Sequence, residues 1–187
     1  MKERVGCDTT ILKNKSLLYY QFDCDSIWLT LENISGNKKV IDNMDPELYR
    51  LGYYLTKEFQ RSLLFRHSCL GSAPCEYDLI DKETGKLIKE FGKLIYNADD
   101  SLSNFIVYFS DDSFSFITLH YIDTDKKYKI KILTEQFNGI EIHAEQQFER
   151  PKIENNLVTL LYRYKLKYEE KDWSVDRIII DLSKYPN

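Results

Sequence analysis

The stretch 76-EYDLIDKETGKLIKEF-91 decides the fold class. Its first half alternates apolar and polar residues, Tyr77, Leu79 and then Asp81, as a half-buried strand does. Glu83-Thr84-Gly85-Lys86 follows, with a glycine where a tight hairpin turn needs a positive φ angle. The second half, Leu87 to Phe91, returns as a lysine-bearing strand. The run therefore reads as a β-hairpin.

The same order of apolar run, polar turn and Lys-rich run recurs outward from it. It is present in IWLTLENISGNKKVI from Ile27, in FITLHYIDTDKKYKIKIL from Phe116 and, cut short, in VDRIIIDLSKYPN from Val175. The turns are Ser35-Gly36-Asn37-Lys38 and Asp123-Thr124-Asp125-Lys126. Each segment follows another strand-like run: SLLYYQF, SLLFRHSC, NFIVYFS and NLVTLLYRYKLKY. Short strands with regular turn signals predict a mainly β chain, an antiparallel meander with a propeller-like or sandwich arrangement. The composition agrees, with 14 Tyr and 10 Phe against only 4 Pro and 7 Gly. The 187 residues are read as a single β-rich domain, residues 1–187.

One segment breaks the period. MDPELYRLGYYLTKEF offers Asp45 as an N-cap, Pro46 at the first helical position, and Leu48, Leu51, Leu55 and Phe59 at helical spacing. It predicts one short helix near residues 46–57, with a strand through Tyr53 and Tyr54 as the competing reading.

The repeated apolar–Asp–x–x–Thr–Gly–Lys hairpin, best seen in YDLIDKETGKLIKEF, resembles the outer hairpin of a β-propeller blade. The stretch from Phe65 to Gly92 is also similar to small exported bacterial proteins of unassigned function. The first resemblance implies about four sheets along the chain; the second implies an envelope address and no activity.

The cysteines bear on the compartment. Cys69 and Cys75 end two strand-like runs, and the loop between them holds Gly71 and Pro74, so a disulfide is expected there. Cys7 and Cys24 remain, and a second bridge between them is expected. Four cysteines fit an oxidising compartment, and the resemblance to exported bacterial proteins implies that it is the periplasm or cell envelope of a bacterium. Reduced thiols in a cytosolic protein are the bland alternative. A zinc site from Cys24, His67, Cys69 and Cys75 is the sharp one, and its spacing departs from the usual zinc pattern. Gly6-Cys7 also resembles the end of a lipoprotein signal, although MKERVGC has no apolar stretch before it.

The formal net charge of −4 and the lack of a basic cluster argue against nucleic acid. No window is apolar enough to span a membrane. No hydrolase, nucleotide-binding or metalloprotease motif is present, and no metal or cofactor is expected. The carboxylate pairs fall in turns, where Asp side chains bond to nearby backbone N–H groups. In LLYRYKLKY, Tyr162, Tyr164, Leu166 and Tyr168 share one strand face and are read as the core side, opposite Arg163, Lys165 and Lys167.

The leading expectation is a non-enzymatic, exported protein that acts on a protein partner, in its concrete form an immunity protein that neutralises a basic toxin. Asp99, Asp100, Asp111 and Asp112 are the candidate binding residues, because turn carboxylates meet a basic surface. The alternative is a ligand-binding or structural envelope lipoprotein anchored through Cys7. A third reading is an enzyme whose site draws Asp and His from distant loops.

Overall fold

The computed structural model describes residues 8–71, 73–99, 103–137, 143–167 and 171–187. It is mainly β, with four small antiparallel sheets whose strands follow one another in sequence order. The chain divides into two compact units, residues 1–92 and 93–187.

In the first unit, β1 (Thr10–Ile11), β2 (Leu17–Phe22), β3 (Ile27–Glu32) and β4 (Lys38–Met44) form one meander. A second contains β5 (Tyr54–Glu58), β6 (Ser62–His67), β7 (Glu76–Asp81) and β8 (Leu87–Gly92). Leu18, Leu29 and Leu31 of the first sheet join Leu63, Phe65 and Ile80 of the second in one apolar cluster, completed by Leu12. Alternation brings these residues to one face of each sheet. β6 lies between two partners and is buried on both faces from Ser62 to Phe65.

The turns form as their side chains dictate. Asn33 Oδ1 accepts from the N–H groups of Ser35 and Asn37 in the β3–β4 turn. Asp81 Oδ1 accepts from the N–H groups of Glu83 and Thr84 and from the Thr84 hydroxyl. Burial works against the Asp81 carboxylate, but these three donors outweigh it and hold its pKa below the usual range. Gly85 has φ +63°, and a Cβ there would meet Lys39 Cγ at 2.5 Å. Behind this turn Lys82 is buried. Its ammonium meets Glu58 Oε1 at 2.5 Å and donates to the carbonyls of Phe59 and Gln60 at 3.0 and 3.4 Å.

The expected helix is present but short. A 3-10 helix covers Pro46–Leu51, with the Asp45 side chain accepting from Glu47 N. It stops before Gly52, and the chain is extended again from Tyr54 into β5. Two contacts accompany the change. A Cβ at Gly52 would meet Met44 Cε at 2.2 Å, so a side chain there would have to displace the end of the methionine. Tyr53 N donates to Asp42 Oδ2 at 3.0 Å instead of to a helical carbonyl. Leu48, read as part of a helical stripe, is exposed.

The Cys69–Cys75 disulfide is formed and closes the β6–β7 loop. Cys24 is free and exposed, and the expected bridge to Cys7 involves a residue outside the described ones. Asp23 Oδ1 accepts from the N–H groups of Asp25 and Ser26, closing a tight β2–β3 turn with Cys24 at its tip. Replacing Cys69 and Cys75 together by serine is expected to lower stability by about 2 kcal/mol, the chain-entropy value for so short a loop. The check is a urea midpoint for the double variant against the oxidised parent; an unchanged midpoint means the bridge constrains nothing.

The second unit has β9 (Phe105–Phe109), β10 (Phe116–Tyr121) and β11 (Lys126–Lys131) in one sheet. β12 (Lys152–Glu154), β13 (Leu157–Tyr164) and β14 (Ser174–Asp181) form the other. β11 is a terminal strand, and Lys126, Lys127, Lys129 and Lys131 are exposed along it. Tyr162 is buried and Arg163 exposed, as the alternation predicts, but Leu166, read as core, lies past the end of β13 and is exposed; Tyr168 lies outside the described residues. Tyr162 donates to Gln136 Oε1 at 2.5 Å within a cluster of Phe109, Phe137 and Phe148 rings. His120 is buried and within 2.8 Å of Asp125, where the strand pattern alone predicts a half-exposed residue.

Candidate functional site

The expected carboxylates do not come together. Asp99 precedes β9 and lies 3.2 Å from Arg150 Nη2. Tyr96 pairs antiparallel with Val107, which carries Asp99 towards the start of β9. Asp111 and Asp112 sit past its other end, in the β9–β10 turn. Asp111 Oδ1 accepts from the Ser113 hydroxyl and the N–H groups of Ser113 and Ser115. The Ser113 hydroxyl bond is the main reason its pKa is held low. Asp112 is exposed and Asp100 lies outside the described residues.

What the first unit assembles instead is a cleft of about 250 Å³ walled by Tyr19, Tyr20, Tyr49, Tyr53 and Tyr54, with Leu18, Leu29 and Leu55 as its apolar floor. β2 delivers the first two tyrosines, the 3-10 helix the third, and the extended chain after Gly52 the last two. Four hydroxyls are already engaged. Tyr19 donates to Glu32 Oε2 at 2.8 Å, Tyr54 to the Tyr49 carbonyl at 3.1 Å, Tyr20 to the Tyr53 carbonyl and Tyr53 to Asp78 Oδ2. Burial is the main cause that raises the phenol pKa values of Tyr20, Tyr53 and Tyr54, so all three stay neutral in ordinary buffers. With those four protons committed, the rings, the Tyr49 hydroxyl and the polar groups of Asp8 and Thr10 line the space for an occupant.

Asp78 extends the arrangement behind the cleft. It is buried, and its Oδ2 also lies 3.3 Å from His67 Nε2. The His67 ring packs on Tyr53, centroids 4.8 Å apart, and its Nδ1 lies 3.0 Å from Ser68 Oγ. The alternation that predicts β6 and β7 sets His67 opposite Glu76, so Asp78 is reached across the sheet and not from a pair partner. That diagonal contact has no sequence signature. The Tyr19-Tyr20 and Tyr53-Tyr54 doublets were a signal for the cleft, but nothing in their spacing joins them.

No family model and no curated protein matches the chain. Among solved structures it is similar to the crystal structure of TolB from Acinetobacter baumannii, with a TM-score of 0.34 and 16% sequence identity. The match covers 90% of this chain and 39% of that one, so the chain spans well under half of TolB's length. No helix among the described residues is long and apolar enough to cross a membrane.

Proposed function

We propose that the protein is an exported bacterial protein of the cell envelope that acts by binding a protein partner, in its concrete form by neutralising a toxin. The observation that carries this reading is the tyrosine cleft. Tyrosine rings supply large contact area at low entropic cost, and hydroxyls already bonded within the fold hold them in place before a partner arrives. The Cys69–Cys75 bridge supports export, because disulfides persist in oxidising compartments. The exposed Asp99 and Asp112, with a formal net charge of −4, would speed association with a basic toxin.

Growth protection tests it. Cells carrying the protein in their envelope are expected to survive the product of a toxin-like gene beside its own, and the two purified proteins to form a complex. Tyr49→Ala with Tyr54→Ala is expected to weaken that complex by at least about tenfold in calorimetry, the effect of losing a central aromatic contact. No complex with any neighbouring gene product rejects the reading.

The free Cys24 favours a second form, in which Cys7 carries a lipid and the protein is a ligand-binding or structural lipoprotein. An intact mass bearing a diacylglyceryl group on the native gene product marks that form.

A further inference from the structure

We propose that Ser68 is an activated nucleophile, with His67 as its base and Asp78 holding the imidazole, and that it takes acyl groups from small esters. This goes beyond partner binding and stands or falls separately from it. Three observations meet at this loop. Ser68 Oγ lies 3.0 Å from His67 Nδ1. His67 Nε2 is buried, forms no hydrogen bond of good geometry, and lies 3.3 Å from a buried Asp78 oxygen. Ser68 itself has φ +52°, a left-handed backbone that side chains other than glycine's seldom adopt, held by its own N–H on the Leu51 carbonyl at 2.8 Å.

The reaction needs the tautomer protonated on Nε2, which lies near the Asp78 carboxylate without a hydrogen bond to it, and this leaves Nδ1 bare to accept the Ser68 proton. Nucleophile, base and orienting carboxylate then stand in the order that acyl transfer uses on unrelated folds, with the two ring nitrogens exchanged relative to the commoner arrangement. Tyr53 is a positioning residue. Its hydroxyl donates to the same Asp78 oxygen, and its ring lies against the imidazole. The disulfide that begins at the next residue closes the loop carrying Ser68. Ser68 is half-buried, which leaves it reachable.

The reaction balances without a cofactor. Ser68 Oγ attacks the ester carbonyl carbon as its proton passes to His67 Nδ1. The bond to the alcohol oxygen then breaks, and that alcohol leaves with the proton from Nδ1. An acyl–Ser68 ester remains. Water adds to it by the same proton path, and a carboxylic acid is released.

A fluorophosphonate probe on the oxidised, full chain tests the activation directly, since the Ser68 oxygen would bond to phosphorus and expel fluoride. Peptide mass mapping is expected to place the adduct on Ser68, at a rate at least about a hundredfold above the exposed Ser113 and Ser183. His67→Gln is expected to slow it by a similar factor. Ser68→Ala should lower p-nitrophenyl acetate hydrolysis to the level of free imidazole and buffer. Tyr53→Phe should keep the adduct while moving the pH profile of labelling, which a merely structural role for the hydroxyl would not do. No adduct on the unaltered chain, or one spread evenly over exposed serines, overturns the proposal. That result is read on the parent protein, so a variant that misfolds does not obscure it. Ester turnover without any partner complex, or a complex without labelling, separates this inference from the binding reading.

Discussion

Replacing Phe65 by alanine is expected to cost about 3–5 kcal/mol, the range for losing a large ring from a closed core. Phe65 is fully buried in the middle of β6 and belongs to the cluster that joins the two sheets of the first unit. It also stacks on Tyr53, centroids 5.5 Å apart at an interplanar angle of 21°. The loss therefore has two parts. The apolar contacts with Leu29, Leu31 and Leu63 go, and Tyr53 loses the surface that fixes its ring in the cleft wall. A drop in urea midpoint with little change in slope is expected, together with weaker binding at the cleft. A cost under about 1 kcal/mol would mean that the two sheets can close over the space.

Lys82→Met is expected to be of similar size, for an electrostatic reason. Methionine keeps the length of the side chain and removes the ammonium. Glu58 then holds a charge in a mostly enclosed setting with its cation gone, and the carbonyls of Phe59 and Gln60 lose a donor. Breaking a buried pair from one side costs about 3–5 kcal/mol. Glu58 keeps one bond, from Lys13 N at 2.7 Å, which works against the loss. The double variant Lys82→Met with Glu58→Gln should recover part of the cost, because no unpaired charge remains. Equal urea midpoints for single and double variants would show that the charge on Glu58 is not the source.

Much of this architecture was legible beforehand, and the reason differs by element. The hairpins were readable because two signals agree in each: alternation along the strand and a residue in the turn suited to it. Asn33, Asp81 and Gly85 do the chemistry their types predict. In the segment after Pro46 the expected helix is present but shorter than the spacing predicts, because Leu48 and Leu51 lie in it while Leu55 lies in β5 and Phe59 just past β5. The Tyr53 N–H bond to Asp42 marks where the extended chain begins, and that contact is between residues 11 apart in sequence. His120 was hidden for a similar reason, since alternation says which face a residue takes and not what covers that face. The carboxylates in turns were readable as turn chemistry, and their structural duty is what Asp111 shows. The tyrosine doublets signal the cleft without joining its walls, and nothing in the sequence signals the Ser68 loop. The sequence sets His67 near Cys69, but Cys69 is committed to a disulfide and its neighbour Ser68 is the group within reach.

The lysines of β11 have a consequence for the protein at high concentration. An open strand edge is a template on which another chain can add its own strand, and stacks of such additions lead to fibrils. Four ammonium groups along six residues make that addition costly, since an identical incoming strand would set like charges side by side. β11 thus guards its sheet against self-assembly at the edge where, among the described residues, no further strand pairs with it.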